Sequence, residues 1–183
     1  MNFAKFPRRK YLQGPTEIEA LPALTRVLDS KVNLYIKRDD LLPGAAGGNK
    51  TRKLEFCLAD ALEKGSNAII TCGAVQSNHC RLTAAWSAKE GLDCHLVLEE
   101  RVKGSYKPEA SGNNFLFELL GVKSIEVVEG GSDMAAAMKK RRVNLRISAK
   151  PLTSYRAGRP MPSAPWDMPH VPRKPWLSST TCI

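Results

Sequence analysis

The spacing of apolar residues along the first three quarters of the chain alternates between a helical period and short continuous runs. Residues 50–64 predict a helix, because their apolar residues recur every three to four positions on one face. Gly65 follows this pattern directly and is typical of a helix stop. The apolar run at 68–71 has the length and composition of a buried strand. This order of a helix followed by a buried strand recurs further along the chain.

The spacing of apolar residues, followed as far as residue 138, predicts strands and helices in alternation. The predicted strands are 32–37, 68–71, 94–98 and 125–128. The predicted helices are 50–64, 77–89, 113–120 and a helix capped by Ser132 or Asp133 that runs through Met138. Such alternation implies right-handed crossovers between neighbouring parallel strands. The expected fold class is therefore α/β, with a parallel sheet covered by helices.

The pattern changes after Met138. Residues 151–183 contain seven of the twelve prolines, two of the three tryptophans and no periodic apolar face. Proline fixes φ and removes a backbone donor, so we expect neither a helix nor a central strand in this stretch. The sequence thus predicts two parts, a folded part at 1–138 and an aberrant basic, proline-rich tail at 139–183 that is disordered.

The net charge of +10 belongs almost entirely to this tail. From Lys139 onward ten lysines and arginines face the single acid Asp167, so residues 1–138 are nearly neutral. A basic tail attracts polyanions through counterion release. Trp166 and Trp176 lack a predicted folded platform on which bases could stack. We therefore expect no specific nucleic-acid partner.

Other sequence features bear on the location and on the cysteines. No apolar run approaches the length of a membrane span, and the basic start MNFAKFPRRK is not followed by the apolar stretch of a secretory signal. We therefore expect a cytoplasmic protein without a membrane partner. The five cysteines lack CxxC spacing, so we expect reduced, mostly buried thiols and neither a metal site nor a disulfide framework.

The first segment with candidate chemistry is KRDDLLPGAAGGNKTRKLEF, residues 37–56. Gly47 and Gly48 precede Lys50 at a predicted helix start, where the backbone can approach a ligand and the helix dipole favours anions. A lysine cation is unfavourable at this end of a helix. An amine engaged in a Schiff base would lose that charge and act as a nucleophile. A solvated lysine beside two loop glycines explains the residues equally well.

The second segment is CGAVQSNHCR, residues 72–81, between a predicted buried strand and the next helix. Open α/β sheets bind their ligands at this position. Ser77, Asn78 and His79 offer backbone amides with hydroxyl, amide and imidazole groups, which suit a substrate carboxylate or the ring oxygen of a cofactor. Taken singly, Ser77 is equally well a helix cap, and a histidine such as His79 is more often structural than catalytic.

Together the two segments resemble the D-cysteine desulfhydrase and 1-aminocyclopropane-1-carboxylate deaminase group of fold type II pyridoxal-phosphate enzymes. The resemblance extends from about Phe6 to Met138, through FPRR, the PT at 15–16, YIKRDD, GGNKTRKLE, GAVQSNH and the SGNN at 111–114. It implies a fold like that of the tryptophan synthase β chain, pyridoxal 5'-phosphate as cofactor, a small amino-acid substrate and a homodimer for the intact enzyme.

The resemblance also implies roles for individual residues. Lys50 would form the Schiff base with the cofactor and move the substrate α-proton, with Ser77 as the second catalytic residue. Asn49 and Asn78 would bind the cofactor with Lys50, and Ser77, Asn78 and His79 would bind the substrate. The implied reaction is a β-elimination that converts D-cysteine to pyruvate, ammonia and hydrogen sulfide. Cyclopropane ring opening and sulfite release from L-cysteate remain alternatives, as does a noncatalytic pseudoenzyme fragment.

The tail departs from the family, which continues with a glycine-rich phosphate loop and a long carboxy-terminal portion. A shifted reading frame combines the last base of each codon with the first two bases of the next. In this frame the codons of Met161 and Pro162 must give alanine, and those of Trp166 and Asp167 must give glycine. The line recovered in this way resembles the family's phosphate-binding segment. We therefore expect an amino-terminal fragment with a frameshifted tail. Because a cofactor phosphate needs a nest of backbone amides, we expect it to bind the cofactor poorly and to have little or no activity.

Overall fold

The computed structural model describes residues 3–29, 31–146, 152–156 and 181–182, the last two ranges as backbone only. The strands are β1 (Ile18–Ala20), β2 (Tyr35–Lys37), β3 (Ala68–Ala74), β4 (Asp93–Glu100), β5 (Ser124–Glu129), β6 (Leu152–Arg156) and β7 (Thr181–Cys182). The helices are α1 (Pro22–Val27), α2 (Lys50–Glu63), α3 (Asn78–Lys89), α4 (Asn113–Leu119) and α5 (Met134–Arg146). None of the described helices combines the length and apolarity needed to cross a bilayer.

The main sheet has the strand order β5-β4-β3-β6-β7 over the described ranges, and each neighbouring pair is parallel. In its register Ile70 lies beside His95, which in turn lies beside Ser124. Helices connect β3 to β4 and β4 to β5, as the alternating apolar pattern requires. The predicted α/β fold with a parallel, helix-covered sheet is confirmed.

Helices cover both faces of this sheet, because successive residues of a strand point to opposite sides. Ile69 packs with Leu54 and Leu58 of α2, whereas its neighbour Ile70 packs with Met134 and Met138 of α5. A third cluster joins β4 to α3 and α4. Its buried members are Val75, Cys80, Ala84, Cys94, Leu96, Leu98 and Phe117. The starts of α2, α3 and α4 are thereby held on the same face of the sheet.

The amino-terminal segment is fastened to α2 through Glu55, whose side chain is 0% exposed. Its Oε1 accepts hydrogen bonds from the backbone amides of Tyr11, at 2.7 Å, and Leu12, at 2.8 Å. Its Oε2 accepts a hydrogen bond from Arg8 Nε at 2.6 Å. The Tyr11 ring also stacks on Trp86 of α3, with the ring centroids 4.1 Å apart. This segment therefore braces the two helices whose starts carry the candidate motifs.

The carboxy-terminal predictions need correction where the structure describes the chain. The helix that we predicted through Met138 continues to Arg146. The expectation of no central strand in 151–183 is wrong, because β6 lies between β3 and β7 and pairs with both. The remaining prediction of disorder concerns residues 147–151, 157–180 and 183, which lie outside the described residues.

Candidate active site

The loop before α2 is shaped by Gly47. Its φ is +69°, and a Cβ atom at this position would lie 1.9 Å from the backbone oxygen of Asp40, so no other residue fits. The amide of Gly48 donates to the backbone oxygen of Asp39 at 3.0 Å and closes the loop. This loop delivers the chain into α2 with Lys50 as the first helical residue.

Lys50 is half-buried, and its Nζ donates to Oδ1 of Asn49 at 3.2 Å. Within the described part of the chain it forms no salt bridge. Asn49 occupies the N-cap position with an exposed side chain that makes no capping hydrogen bond. The amine thus has a neutral partner, which leaves its chemistry open to an electrophile.

The turn after β3 positions Ser77 as the N-cap of α3. Ser77 Oγ accepts a hydrogen bond from the backbone amide of Cys80 at 3.2 Å, so the hydroxyl proton can be donated elsewhere. A Cβ atom at Gly73 would lie 2.4 Å from this oxygen, so the glycine makes room for it. The amides of Asn78 and His79 have no acceptor within the helix because they lie in its first turn. The cap explanation for Ser77 is confirmed and is compatible with ligand binding.

The orientation of the Asn78 side-chain amide follows from the groups that donate hydrogen bonds to it. Its Oδ1 accepts hydrogen bonds from Arg81 Nη1 and from Asn113 Nδ2, both at 3.0 Å. Because both partners are donors, the carbonyl side of the amide must face them. The amide nitrogen of this exposed side chain therefore remains to donate to an anionic oxygen.

His79 lies inside the fold and is only 2% exposed. Its Nε2 is 2.8 Å from Thr71 Oγ1, and its Nδ1 is buried without a hydrogen-bond partner among the described residues. Burial, together with the smaller effects of the positive charges of Lys53 and Lys50, lowers the pKa of this imidazole to about 3. The structure thus brings Lys50 within electrostatic range of the second motif. The part of His79 that fits a ligand at the surface is its backbone amide.

The buried imidazole should make the stability of the chain depend on pH. His79 resists protonation in the folded state down to about pH 3, whereas an unfolded histidine takes up a proton below about pH 6.5. The unfolded state therefore binds more protons in this window, and stability falls as the pH is lowered through it. We expect His79→Gln to reduce this slope by about 1 kcal/mol per pH unit, measured by urea unfolding between about pH 6.5 and 5.

Comparing the wild type with His79→Gln cancels the contribution of the other titrating groups to the slope. One of these groups is His95, whose pKa is also lowered mainly by burial. His95→Gln serves as the matched control and should change the slope less, since the negative charge of Asp93 opposes the lowering of its pKa and its Nδ1 lies 2.7 Å from Ser124 Oγ. Parallel stability curves for the wild type and His79→Gln would contradict the placement of a neutral His79.

Arg81 joins the two motifs, and the sequence alone did not assign it a role. Its Nη2 donates to the backbone oxygen of Gly47 at 2.8 Å, and its Nη1 donates to Asn113 Oδ1 at 2.9 Å as well as to Asn78. The starts of α2, α3 and α4 are therefore connected through one guanidinium group. A charged residue between the apolar Cys80 and Leu82 was the available signal in the sequence.

Comparison with known proteins agrees with this geometry. A family model described as pyridoxal-phosphate dependent enzyme matches residues 10–155, most of the chain. The chain belongs to this family. As a family member it is 41% identical over 155 residues to the D-cysteine desulfhydrase of Salmonella typhimurium (strain LT2), covering 84% of this chain and 46% of that protein. The chain thus spans about half the length of this relative.

A solved structure described as an ACC deaminase homologue also matches this family member. The TM-score is 0.68 at 35% sequence identity, with 84% of this chain and 45% of that chain covered. The family resemblance inferred from GGNKTRKLE and QSNH is therefore confirmed, together with the fold that it implied.

The described residues fit the cofactor that gives the family its description. An aldehyde requires an amine, which Lys50 offers, and an anionic ring oxygen requires a donor, which the Asn78 amide nitrogen offers. The unpartnered buried Nδ1 of His79 is a further polar atom in the same region. The segment that we expected to match the phosphate loop falls mostly in 157–180, outside the described residues.

The described cysteines are structural. Cys57, Cys72, Cys80 and Cys94 are free and buried, and burial raises the pKa of the Cys80 thiol to about 12. Such thiols are poor nucleophiles and poor metal ligands. The described residues contain no cluster of histidine, cysteine or acidic side chains that could hold a metal ion.

Proposed function

We propose that this chain carries the lysine-bearing half of a pyridoxal-phosphate-dependent lyase that acts on a small amino acid, with D-cysteine as the preferred substrate. The observation that carries the proposal is the arrangement of Lys50 at a glycine-shaped helix start, whose loop Arg81 joins to Asn78 of the donor turn at 77–79. The 41% identity to a D-cysteine desulfhydrase favours this substrate.

Each residue has a distinct task in this proposal. Lys50 Nζ holds the cofactor and accepts the α-proton of the substrate. The amide nitrogen of Asn78 donates to the ring oxygen of the cofactor, with Asn49 beside it at the helix start. The hydroxyl of Ser77 and the first-turn amides of Asn78 and His79 bind the substrate carboxylate, which the positive end of the α3 dipole also favours.

When bound, pyridoxal phosphate supplies an electron sink for the substrate α-carbon. Loss of the α-proton to Lys50 then permits the bond between the β-carbon and sulfur to break. With one water consumed, D-cysteine gives pyruvate, ammonia and hydrogen sulfide.

A second candidate is the ring opening of 1-aminocyclopropane-1-carboxylate. The structural match to an ACC deaminase homologue favours it. The same lysine and donor turn would serve both reactions, because both substrates present an amine, a carboxylate and a reacting β-carbon. The choice between them depends on groups that contact the β-carbon.

We further propose that the chain has little activity by itself, because it spans only 46% of the length of the D-cysteine desulfhydrase that it matches. A chimera tests both proposals. Residues 1–138 are fused to the corresponding remainder of the Salmonella enzyme and supplied with pyridoxal phosphate. We expect the chimera to release pyruvate and sulfide from D-cysteine, whereas the chain of 183 residues does not.

The same chimera separates the candidate substrates when 1-aminocyclopropane-1-carboxylate and L-cysteate are assayed in parallel. A folded chimera that releases ammonia from none of the three would overturn the lyase proposal and favour a noncatalytic remnant. Strong activity of the unfused chain would overturn the proposal of inactivity. The homodimer implied for the intact enzyme is a further proposal, which light scattering of the chimera tests.

A further inference from the structure

Arg81 is a buried cation that pairs with no acid in the part of the chain that the structure describes. The residue is 9% exposed, and no described carboxylate lies within salt-bridge distance of its guanidinium group. Burial lowers its pKa, so the environment resists the charge. An apolar side chain of similar size would avoid this desolvation cost. The buried guanidinium group must therefore make contacts that offset this desolvation cost.

The explanation lies in the three oxygens that the guanidinium group holds. They are the backbone oxygen of Gly47, Asn78 Oδ1 and Asn113 Oδ1, at 2.8, 3.0 and 2.9 Å. Asn113 is itself fixed by Gln76, since its backbone amide donates to Gln76 Oε1 at 2.8 Å and its Nδ2 to the Gln76 backbone oxygen at 2.7 Å. The network thus spans the turn after β3 and the starts of three helices.

We propose that Arg81 is a positioning residue, which sets the location of the Lys50 helix start relative to the Asn78 amide and turns the nitrogen of that amide outward. The geometric part depends only on the contacts described above. The consequence for cofactor binding rests on the proposed function. A planar guanidinium group suits this task because its donors diverge in one plane and reach oxygens on different elements at the same time.

Arg81→Lys tests this geometry in the full chain. The ammonium group keeps the charge but cannot reproduce the planar fork, so it should weaken both the bond to Gly47 and the bonds to the two asparagines. Arg8→Lys is the matched control, because Arg8 also contacts a buried side chain, Glu55, but touches none of the network. Hydrogen exchange measured by mass spectrometry should rise at least about tenfold in both 44–49 and 76–81 for Arg81→Lys, and in neither for Arg8→Lys.

Asn113→Ala provides a second variant if Arg81→Lys does not fold. It removes one donor to Asn78 but retains the bond between Arg81 and Gly47. Exchange should therefore rise in 76–81 and remain unchanged in 44–49. Unchanged exchange at 44–49 in a folded Arg81→Lys protein, or a uniform rise along the whole chain, would overturn the positioning role, as would a rise at 44–49 in Asn113→Ala.

The functional readout is labelling of the chimera described above with pyridoxal phosphate, trapped by borohydride and located on the peptide that contains Lys50. We expect the labelling rate to fall roughly tenfold in Arg81→Lys and to stay unchanged in Arg8→Lys. A chimera with native Arg81 that shows no labelling at Lys50 contradicts the proposed function, and the exchange data then still decide the role of Arg81. Normal labelling of Lys50 in Arg81→Lys overturns the inference.

Discussion

Replacing Lys50 with alanine is expected to abolish pyruvate formation by the chimera, with a loss of at least about a thousandfold. The substitution removes both the amine that would hold the cofactor and the base that would accept the α-proton. Water cannot replace either role, because a covalent attachment point and a positioned base are both required. The measurement is the rate of pyruvate release from D-cysteine at saturating pyridoxal phosphate.

Lys64→Ala is the matched control for this prediction. Lys64 follows the opposite end of α2, and its Nζ donates to Asp60 Oδ2 at 2.8 Å. Its loss should leave both activity and the labelled Lys50 peptide unchanged. If Lys50→Ala retains activity or still acquires visible absorbance with pyridoxal phosphate, Lys50 is not the attachment point and the enzymatic assignment fails.

The elements that the sequence predicted well are those with a strong apolar period. Residues 50–64 and 77–89 form α2 and α3 to within one residue at each end. The signals were reliable because Leu54 and Leu58 must face the sheet and Gly65 must adopt a positive φ of 66° to leave the helix. The strand at 68–71 is extended by three residues to Ala74, since continuous parallel pairing with β4 outweighs the weak strand preference of Gly73.

The elements that the sequence missed are short or weakly patterned. Strand β1 has three residues, and Ile18 within it is largely exposed. Helix α1 has six residues, none of them buried. Neither element buries an apolar face that would leave a periodic signal in the sequence. Their formation therefore depends on contacts with neighbouring segments. Strand β6 was missed for the same reason, because its place beside β3 depends on the sheet that precedes it.

The sequence predicted where the candidate site lies but not which hydrogen bonds connect its residues. The family resemblance implied that Lys50 and the turn at 77–79 serve one site, and in the structure Arg81 connects the loop before Lys50 to Asn78 of that turn. The sequence could not show that the His79 ring points inward to Thr71, because a helical pattern does not distinguish one side of the first turn from the other. It also could not show that Arg81 bonds to a backbone oxygen of another element.

Replacing Glu55 with alanine should cause a large loss of stability. The variant leaves the amides of Tyr11 and Leu12 without their acceptor, and an unsatisfied buried polar group costs about 1–3 kcal/mol. Arg8 contributes less, because its half-exposed guanidinium group is rehydrated when the acid is lost. We expect the free energy of unfolding to fall by about 3 kcal/mol, measured by urea denaturation at pH 7.

Glu55→Gln separates the two parts of this effect. The amide oxygen of glutamine can still accept from the Tyr11 and Leu12 amides, while the ion pair with Arg8 is lost, so about 1 kcal/mol should be lost. Equal losses in the two variants would mean that the charge of Glu55, and not its acceptor geometry, fastens the amino-terminal segment to α2. Because Tyr11 also stacks on Trp86 of α3, the alanine variant should loosen α2 and α3 together and slow labelling of Lys50 as a secondary effect.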